Sequence, residues 1–235
     1  MNIRASIAMA VYNGEKYLNE QIDSIIKMMQ YNDELVISYD ESQDNTLSII
    51  NEYSANDSRV RVVYDSGHSV ESNFNNAVAN CRGKYIFLAD QDDVWIADKI
   101  NVMVDYFKKN PEIKILISNG DLVNEELEPI GELFKEYKIS GNPIRNFIKG
   151  TYLGCQMAFD SQLTAKVWPV KVNPPLPHDL WLGVKGAQYG KIGLIDKKLI
   201  LHRIHKDNYS NTSKMNLVGV IKNRWLFLTE LILRR

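Results

Sequence analysis

The sequence predicts an α/β fold in which a mostly parallel central sheet carries helices on both faces. Through the first 110 residues, short β-branched and apolar runs alternate with longer segments whose apolar residues recur every three to four positions. This alternation is typical of parallel strands joined by crossover helices. The 235 residues are 45% hydrophobic, with few Gly and Pro and no internal repeat, which excludes disordered, collagen-like and solenoid chains.

Each strand of the first half is predicted together with the helix that follows it. Residues 3–11 form a mostly apolar run typical of a buried strand, and the spacing of Leu18, Ile22, Ile25 and Met29 predicts a helix over 15–30. The same pairing predicts three more units: a strand over 35–39 with a helix over 45–55, a strand over 60–64 with a helix over 72–80, and a strand over 85–89 with a helix over 97–109. Four βα units therefore follow one another.

After Asn110-Pro111 the regular alternation of strand and helix ends, and the second half is predicted to have a less regular order of elements. Strands are predicted over 113–118, 156–159, 192–195 and 198–204, and a helix over 179–189 follows a proline-rich loop at 173–177. Residues 1–212 are predicted to be one domain, because no linker-like change of composition precedes about residue 211.

The charge balance and the cysteine content argue against several classes of protein. The 28 Lys and Arg nearly cancel the 29 Asp and Glu, so nothing draws the whole chain toward nucleic acid. Cys81 and Cys155 have no CxxC spacing, which argues against a disulfide scaffold or a zinc ribbon and favours a reducing compartment. The start lacks signal-peptide features, and no window is apolar enough to span a bilayer, so a cytoplasmic protein is expected.

Polar residues follow three of the predicted strands. They are Tyr12-Asn13-Gly14 after the first strand, residues 40–44 after the second, and Asp90-Gln91-Asp92-Asp93 after the fourth. Ligands of open α/β sheets bind outside the carboxyl ends of the strands. A ligand site is therefore predicted where these segments meet.

Of the three segments, the acidic one gives the most specific indication of its chemistry. Carboxylates at Asp90, Asp92 and Asp93 repel one another unless a cation or solvent relieves them, and Mg²⁺ uses such carboxylates together with phosphate oxygens. The alternative is a solvated acidic turn at the start of the next helix. The spacing does not fit an EF-hand, and neither a P-loop nor a GxGxxG fingerprint occurs. A metal-held diphosphate is the favoured interpretation.

The ordered motifs resemble the inverting family 2 glycosyltransferases with the GT-A fold, in the bacterial rhamnosyltransferase-like subgroup. The resemblance covers roughly residues 3–210 and rests on AMAVYNGEKYLNEQIDSI, ISYDESQDNT, GKYIFLADQDDVWIADKI, GCQMAF, PHDLW and HRIHKDNYS, in that order. It implies that 1–110 is a nucleotide-binding half and 111–212 an acceptor-binding half.

The resemblance also implies roles for the strand-end residues. Ala10, Tyr12 and Asp40 would bind the nucleotide base, Asp92 the ribose, and Asp92 and Asp93 a Mn²⁺ or Mg²⁺ ion, with Asp90 supporting either. Packing of the Tyr12 ring and helix capping by Asp40 are the alternatives. Tyr39 and Glu41 depart from the family pattern, which affects base or ribose recognition.

The second half supplies the predicted acid–base chemistry. The resemblance makes Asp179 the general base that takes the proton of the acceptor hydroxyl, and the alternative is a helix N-cap. His178, Arg203 and His205 are expected to meet the acceptor or the diphosphate, with loop packing as the alternative for the last two. Structural zinc at His202 and His205 is excluded because no third soft ligand is evident.

Residues 213–235 are predicted to form a basic amphipathic helix. Five cations stand against one carboxylate, with apolar residues near helical spacing. Such a helix either lies on an anionic membrane surface or docks on its own domain.

The expected function is metal-dependent transfer of a sugar, with inversion, from a UDP- or dTDP-sugar such as dTDP-rhamnose. The acceptor would be a saccharide or a lipid-linked saccharide, the setting would be bacterial cell-surface polysaccharide synthesis, and the place the cytoplasm or the inner face of the plasma membrane. The rival is a non-catalytic nucleotide- or carbohydrate-binding protein. A nucleotidyltransferase is disfavoured because residues 13–16 make a poor triphosphate loop.

Overall fold

The strands and helices are those of a computed structural model that describes residues 2–170, 176–206, 208 and 217–233. The strands are β1 Ala5–Val11, β2 Asp33–Tyr39, β3 Val60–Tyr64, β4 Tyr85–Ala89, β5 Val94–Trp95, β6 Ile113–Val123, β7 Pro129–Glu132, β8 Met157–Asp160 and β9 Lys191–Arg203. The helices are α1 Leu18–Ile26, α2 Thr46–Asn56, α3 Val70–Ala79, α4 Lys99–Lys109, α5 Leu133–Glu136, α6 Pro143–Lys149, α7 Thr164–Val167, α8 His178–Gly186 and α9 Leu217–Leu233.

The strands form one mixed sheet in the order β3-β2-β1-β4-β8-β6-β9-β5, and β7 pairs with β6. β1 is parallel to β2 and β4, and β2 is parallel to β3. In the second half β8 lies antiparallel between β4 and β6, whereas β6 and β9 are parallel. The α/β prediction is therefore confirmed, with the parallel pairing concentrated in the first four strands.

Successive side chains of the central strands point alternately into two hydrophobic layers, one on each face of the sheet. Ile7 and Met9 of β1 pack with the layer that contains Ile22 of α1. Ala8, between them, faces the opposite layer, which contains Phe74 of α3. Because both faces of the sheet are covered by helices, polar groups reach solvent mainly at the ends of the strands.

Some predicted boundaries differ from the structure for local reasons. The helix predicted from residue 97 begins at Lys99, because Ala97 and Asp98 adopt positive φ angles of 52° and 59°. The two late strands predicted over 192–195 and 198–204 are one strand, β9, whose pairing with β6 shifts register near Asn119.

Other segments were missed or lie outside the described residues. The short elements β5, β7, α5, α6 and α7 were not predicted. Residues 173–175 of the proline-rich loop, and residues 213–216 and 234–235 of the predicted terminal helix, lie outside the described residues. Within the described part of the chain, no helix has the length and apolar character needed to cross a membrane.

Candidate active site

The loop after β1 is tied to the acidic segment by one side chain, that of Gln91. Its amide donates to the Tyr12 carbonyl and its oxygen accepts from the Tyr12 N–H, both at 2.8 Å. A Cβ at Gly14 would come within 2.6 Å of Gln91 Oε1, so a larger residue there would displace the Gln91 amide from these hydrogen bonds. Tyr12 remains 52% exposed, which does not fit the packing alternative.

Asp40 lies at the end of β2 and is nearly buried, with 5% exposure. Its Oδ1 accepts from the Glu41 N–H and contacts His68 Nδ1, both at 2.9 Å. The following helix α2 has Asn45 at its N-cap, so Asp40 is not the cap. Ala10 is partly buried beside this position, paired with Ser38 across β1 and β2. His68 was not predicted, because it lies in a loop with no motif of its own.

The two residues that depart from the family pattern leave Asp40 in place. Tyr39 is buried, and its hydroxyl accepts from the Ser42 N–H at 2.9 Å, which supports the loop. Glu41 is exposed. Neither side chain removes the Asp40 carboxylate from the edge of the sheet.

Asp90 and Asp92 differ in their surroundings. Burial, and then the charges of Asp93 and Asp92, raise the pKa of Asp90 to about 8, and its carbonyl accepts from Gln21 at 2.7 Å. Asp92 Oδ2 lies 2.8 Å from Nε2 of His205, a residue that is 113 positions further along the chain. The repulsion among these carboxylates is what a bound cation would relieve.

Asp93 is fully buried and paired inside the protein. Its Oδ1 lies 2.8 Å from His202 Nδ1 and accepts from the Arg203 N–H at 3.2 Å. Its Oδ2 has no hydrogen-bond partner among the described residues. Burial alone would lower the pKa of His202, but the Asp93 carboxylate raises it to about 9. The imidazolium therefore balances this buried charge.

Cys155 joins the same cluster from the short 3-10 turn that precedes β8, and it was not among the predicted site residues. Its Sγ lies 3.7 Å from His202 Nδ1, and ligand atoms of Asp93, Cys155 and His202 lie within 4.8 Å of one another. A third soft group therefore does lie beside His202, so the reason for excluding zinc was incomplete. Nearby, Lys99 donates to the Cys155 carbonyl at 2.6 Å, and burial lowers its pKa to about 8. A protonated His202 and this lysine already supply positive charge to the cluster.

Arg203 is 2% exposed, and each of its side-chain nitrogens contacts a protein oxygen. Nε donates to the Asp92 carbonyl at 3.0 Å, and the other two contact the Glu125 carbonyl and the Glu20 carboxylate. The guanidinium also lies 4.4 Å from the centre of the Tyr17 ring. Arg203 thus positions Asp92, and its predicted contact with diphosphate or acceptor stays a prediction that this packing does not favour.

Asp179 lies in the first turn of α8 and is partly buried. The N-cap position belongs to Pro177, and the Asp179 carboxylate instead accepts from the Leu180 N–H at 2.5 Å. Burial, with a further contribution from the charge of Glu71, raises the pKa of Asp179 to about 6. A carboxylate with this pKa suits proton transfer near neutral pH. Glu71, itself buried on α3, was not predicted.

His178 precedes Asp179 and stacks on Phe74, with 4.2 Å between ring centres. Its Nε2 is buried without a hydrogen-bond partner among the described residues, and burial lowers the pKa of the ring to about 4. His178 is therefore neutral at physiological pH.

The fold brings these groups to one edge of the sheet, and Asp179 lies close enough to the acidic segment for its charge to raise the pKa of Asp90. A divalent cation fits the donor set, because Asp92 is a hard oxygen ligand at this edge and Asp93 Oδ2 is a buried oxygen that has no hydrogen-bond partner in the described part of the chain. The edge thus offers a nearly buried carboxylate at the end of β2, an acidic cluster, and a separate carboxyl group whose pKa is raised to about 6.

The model for glycosyl transferase family 2 matches residues 6–167 of the chain. The chain belongs to this family. WfgD of Escherichia coli, named a UDP-Glc:alpha-D-GlcNAc-diphosphoundecaprenol beta-1,3-glucosyltransferase, is 29% identical over 97% of this chain and 86% of its own length. The chondroitin synthase of Pasteurella multocida is 25% identical over 98% of this chain, which spans 23% of that relative.

Solved structures show the same fold. TarS residues 1–349 of S. aureus, crystallised with UDP-GlcNAc, match with a TM-score of 0.73 at 18% identity, over 97% of this chain and 66% of that one. The likeness confirms the predicted GT-A fold. The rhamnosyltransferase-like subgroup stays a prediction.

Proposed function

We propose that this family 2 member is an inverting enzyme that moves one sugar from a nucleoside-diphosphate sugar to an acceptor hydroxyl. The observation that carries the proposal is Asp179, a carboxylate with a pKa raised to about 6 that lies near the acidic segment at the carboxyl edge of the sheet. Proton abstraction and diphosphate departure can then occur side by side.

The donor is proposed to be a UDP-sugar. Asp40 would accept the imide N–H of uracil, Ala10 and Tyr12 would line the base, and Asp90 and Asp92 would face the ribose. WfgD is named for UDP-Glc, and TarS was crystallised with UDP-GlcNAc. Thymine carries the same imide N–H, so dTDP-sugars, dTDP-rhamnose among them, are the second class to test.

Asp92 and Asp93 are the proposed ligands of Mn²⁺ or Mg²⁺, and His205 lies beside Asp92. When bound, such an ion neutralises negative charge on the departing nucleoside diphosphate. The leaving group then needs no protonation, unlike the leaving group of a glycosidase.

The chemical step uses the chain's own base. Asp179 takes the proton of the acceptor hydroxyl, the oxygen forms a bond to the anomeric carbon, and the bond from that carbon to the diphosphate oxygen breaks. Attack from the opposite side inverts the anomeric centre. The neutral ring of His178, next to Asp179, is proposed to contact the acceptor.

The acceptor is proposed to be a saccharide or lipid-linked saccharide of a bacterial cell-surface polysaccharide. WfgD is named for a diphosphoundecaprenol-linked acceptor, and a chondroitin synthase is another relative. The proposed place is the cytoplasm, at the inner face of the plasma membrane. The non-catalytic alternative drew on Tyr39 and Glu41, but these residues leave the Asp40 carboxylate in place.

The test is a panel of UDP- and dTDP-sugars offered with saccharide and diphospholipid acceptors, with and without Mn²⁺. The readout is release of nucleoside diphosphate, alongside isothermal titration of UDP and dTDP. Acceptor-dependent release that needs Mn²⁺ and Asp179 supports the proposal. Nucleotide binding without turnover across the panel supports the non-catalytic alternative instead.

A further inference from the structure

Two helices, α6 and α9, carry four of the nine exposed large hydrophobic side chains among the described residues. Among the described residues, five exposed large hydrophobic residues are not tyrosines. Four of them lie on α6 and α9, namely Ile144 (70% exposed), Ile148 (65%), Trp225 (68%) and Leu228 (40%), and the fifth is Ile130 on β7 (60%). Scattered apolar residues need no explanation, but a cluster on neighbouring helices points to a contact surface.

The two helices pack against each other. Phe147 of α6 and Phe227 of α9 lie with ring centres 5.4 Å apart, and the Arg224 guanidinium lies 5.6 Å from the centre of the Phe147 ring. The four exposed apolar residues lie within a helical turn of this contact along their own helices. We call them, with the helices that carry them, the α6–α9 surface.

The charge of the α6–α9 surface is strongly positive. Arg145, Lys149 and Lys222 are exposed, and Arg224 is partly buried. Glu230 is the single carboxylate on the two helices. Isoleucine and tryptophan side chains beside cations match an anionic bilayer, which offers both acyl chains and phosphate headgroups.

The α6–α9 surface is also joined to the candidate active site. Phe227 packs against Trp181 of α8, with ring centres 5.1 Å apart, and the first turn of α8 carries Asp179. A membrane bound at α9 would therefore lie one helix away from the candidate base.

We propose that the α6–α9 surface binds the anionic face of a lipid bilayer and holds Asp179 next to acceptors embedded in that bilayer. The position of Asp179 relative to the acceptor rests on the proposed function, whereas lipid binding does not. α6 is thus an integral part of the membrane contact, which does not depend on the terminal helix alone.

The test uses the whole chain and vesicles of phosphatidylcholine with or without phosphatidylglycerol. Co-sedimentation should require phosphatidylglycerol and decline at 1 M salt, where the screening length is about 3 Å. The double variant Ile144→Glu/Ile148→Glu should bind about tenfold more weakly or worse, because it replaces apolar contacts by carboxylates. Ile130→Glu is the matched control, since it alters an equally exposed isoleucine outside the surface and should bind like the wild type.

A second variant, Trp225→Ala, guards against misfolding of the double variant, and equal thermal midpoints confirm that each protein is folded. Wild-type vesicle binding that ignores phosphatidylglycerol, or equal loss in Ile130→Glu, overturns the proposal. So does a concentration-dependent dimer that the double variant abolishes, because the surface would then be a protein interface. Failure of sugar transfer with normal vesicle binding would count against the proposed function alone.

Discussion

Replacing Asp179 by Asn should remove most sugar transfer while donor binding survives. The amide oxygen can still accept from the Leu180 N–H, so the helix start is preserved, but it cannot take a proton from the acceptor. General-base catalysis is worth about 10²–10⁴-fold, and the loss should lie on that scale.

The pH dependence of sugar transfer is a second, independent test of Asp179 as the base. Burial raises the pKa of Asp179 to about 6, so its active, ionised form should be about 90% populated at pH 7 and about 10% at pH 5. Transfer at saturating donor should therefore fall about tenfold between pH 7 and pH 5. A carboxyl with an ordinary pKa would remain mostly ionised at pH 5.

The assay is nucleoside diphosphate release at saturating donor, beside titration of UDP to measure donor affinity. Asp105→Asn is the matched control, because Asp105 is an exposed carboxylate on α4 that pairs with Lys108 at 3.5 Å. A variant that transfers within a few-fold of the wild type, or a flat profile between pH 5 and 7, would show that Asp179 is not the base.

Three further changes test the surroundings. Asp93→Asn should lower the free energy of unfolding by about 3 kcal/mol, measured in urea at pH 7, because the ion pair that raises the pKa of His202 to about 9 is lost and the buried ring becomes neutral; unchanged stability would contradict the ion pair. Glu71→Gln should lower the pKa of Asp179 and move the acid limb of the activity profile to lower pH, and a limb that stays or rises would argue against their coupling. Gln91→Ala should weaken UDP binding by up to about tenfold in titration, because two hydrogen bonds to the loop after β1 are lost; equal affinity would show that the loop holds without them.

The regular part of the fold follows from local periodicity. β1, β2 and β4 are buried along almost their whole length, and α1 and α4 bury a face that repeats every three to four residues, so apolar runs and apolar spacing predict them. α6 carries a start and a stop signal in the sequence: Asn142 caps it, Pro143 opens it and Gly150 ends it in a left-handed conformation. Its seven residues are too short to show a convincing apolar stripe.

The candidate site divides in the same way. Asp40 and Asp90 could be placed near one another because parallel strands bring their carboxyl ends to one edge. The cluster of Asp93, Cys155 and His202 could not be predicted from the sequence, because it depends on β5, β8 and β9 meeting around β6. Contacts made by strand pairing at long sequence separation leave no periodic trace.

The packing at Gly154 limits how this site can change during evolution. A Cβ at that position would meet His178 Nε2 at 2.5 Å, and the imidazole cannot swing aside without losing its stack on Phe74. A larger residue at 154 therefore either displaces the His178 ring from Phe74 or requires a smaller residue at 178. Among relatives that keep this backbone, a residue larger than glycine at 154 should therefore be accompanied by a smaller residue at 178.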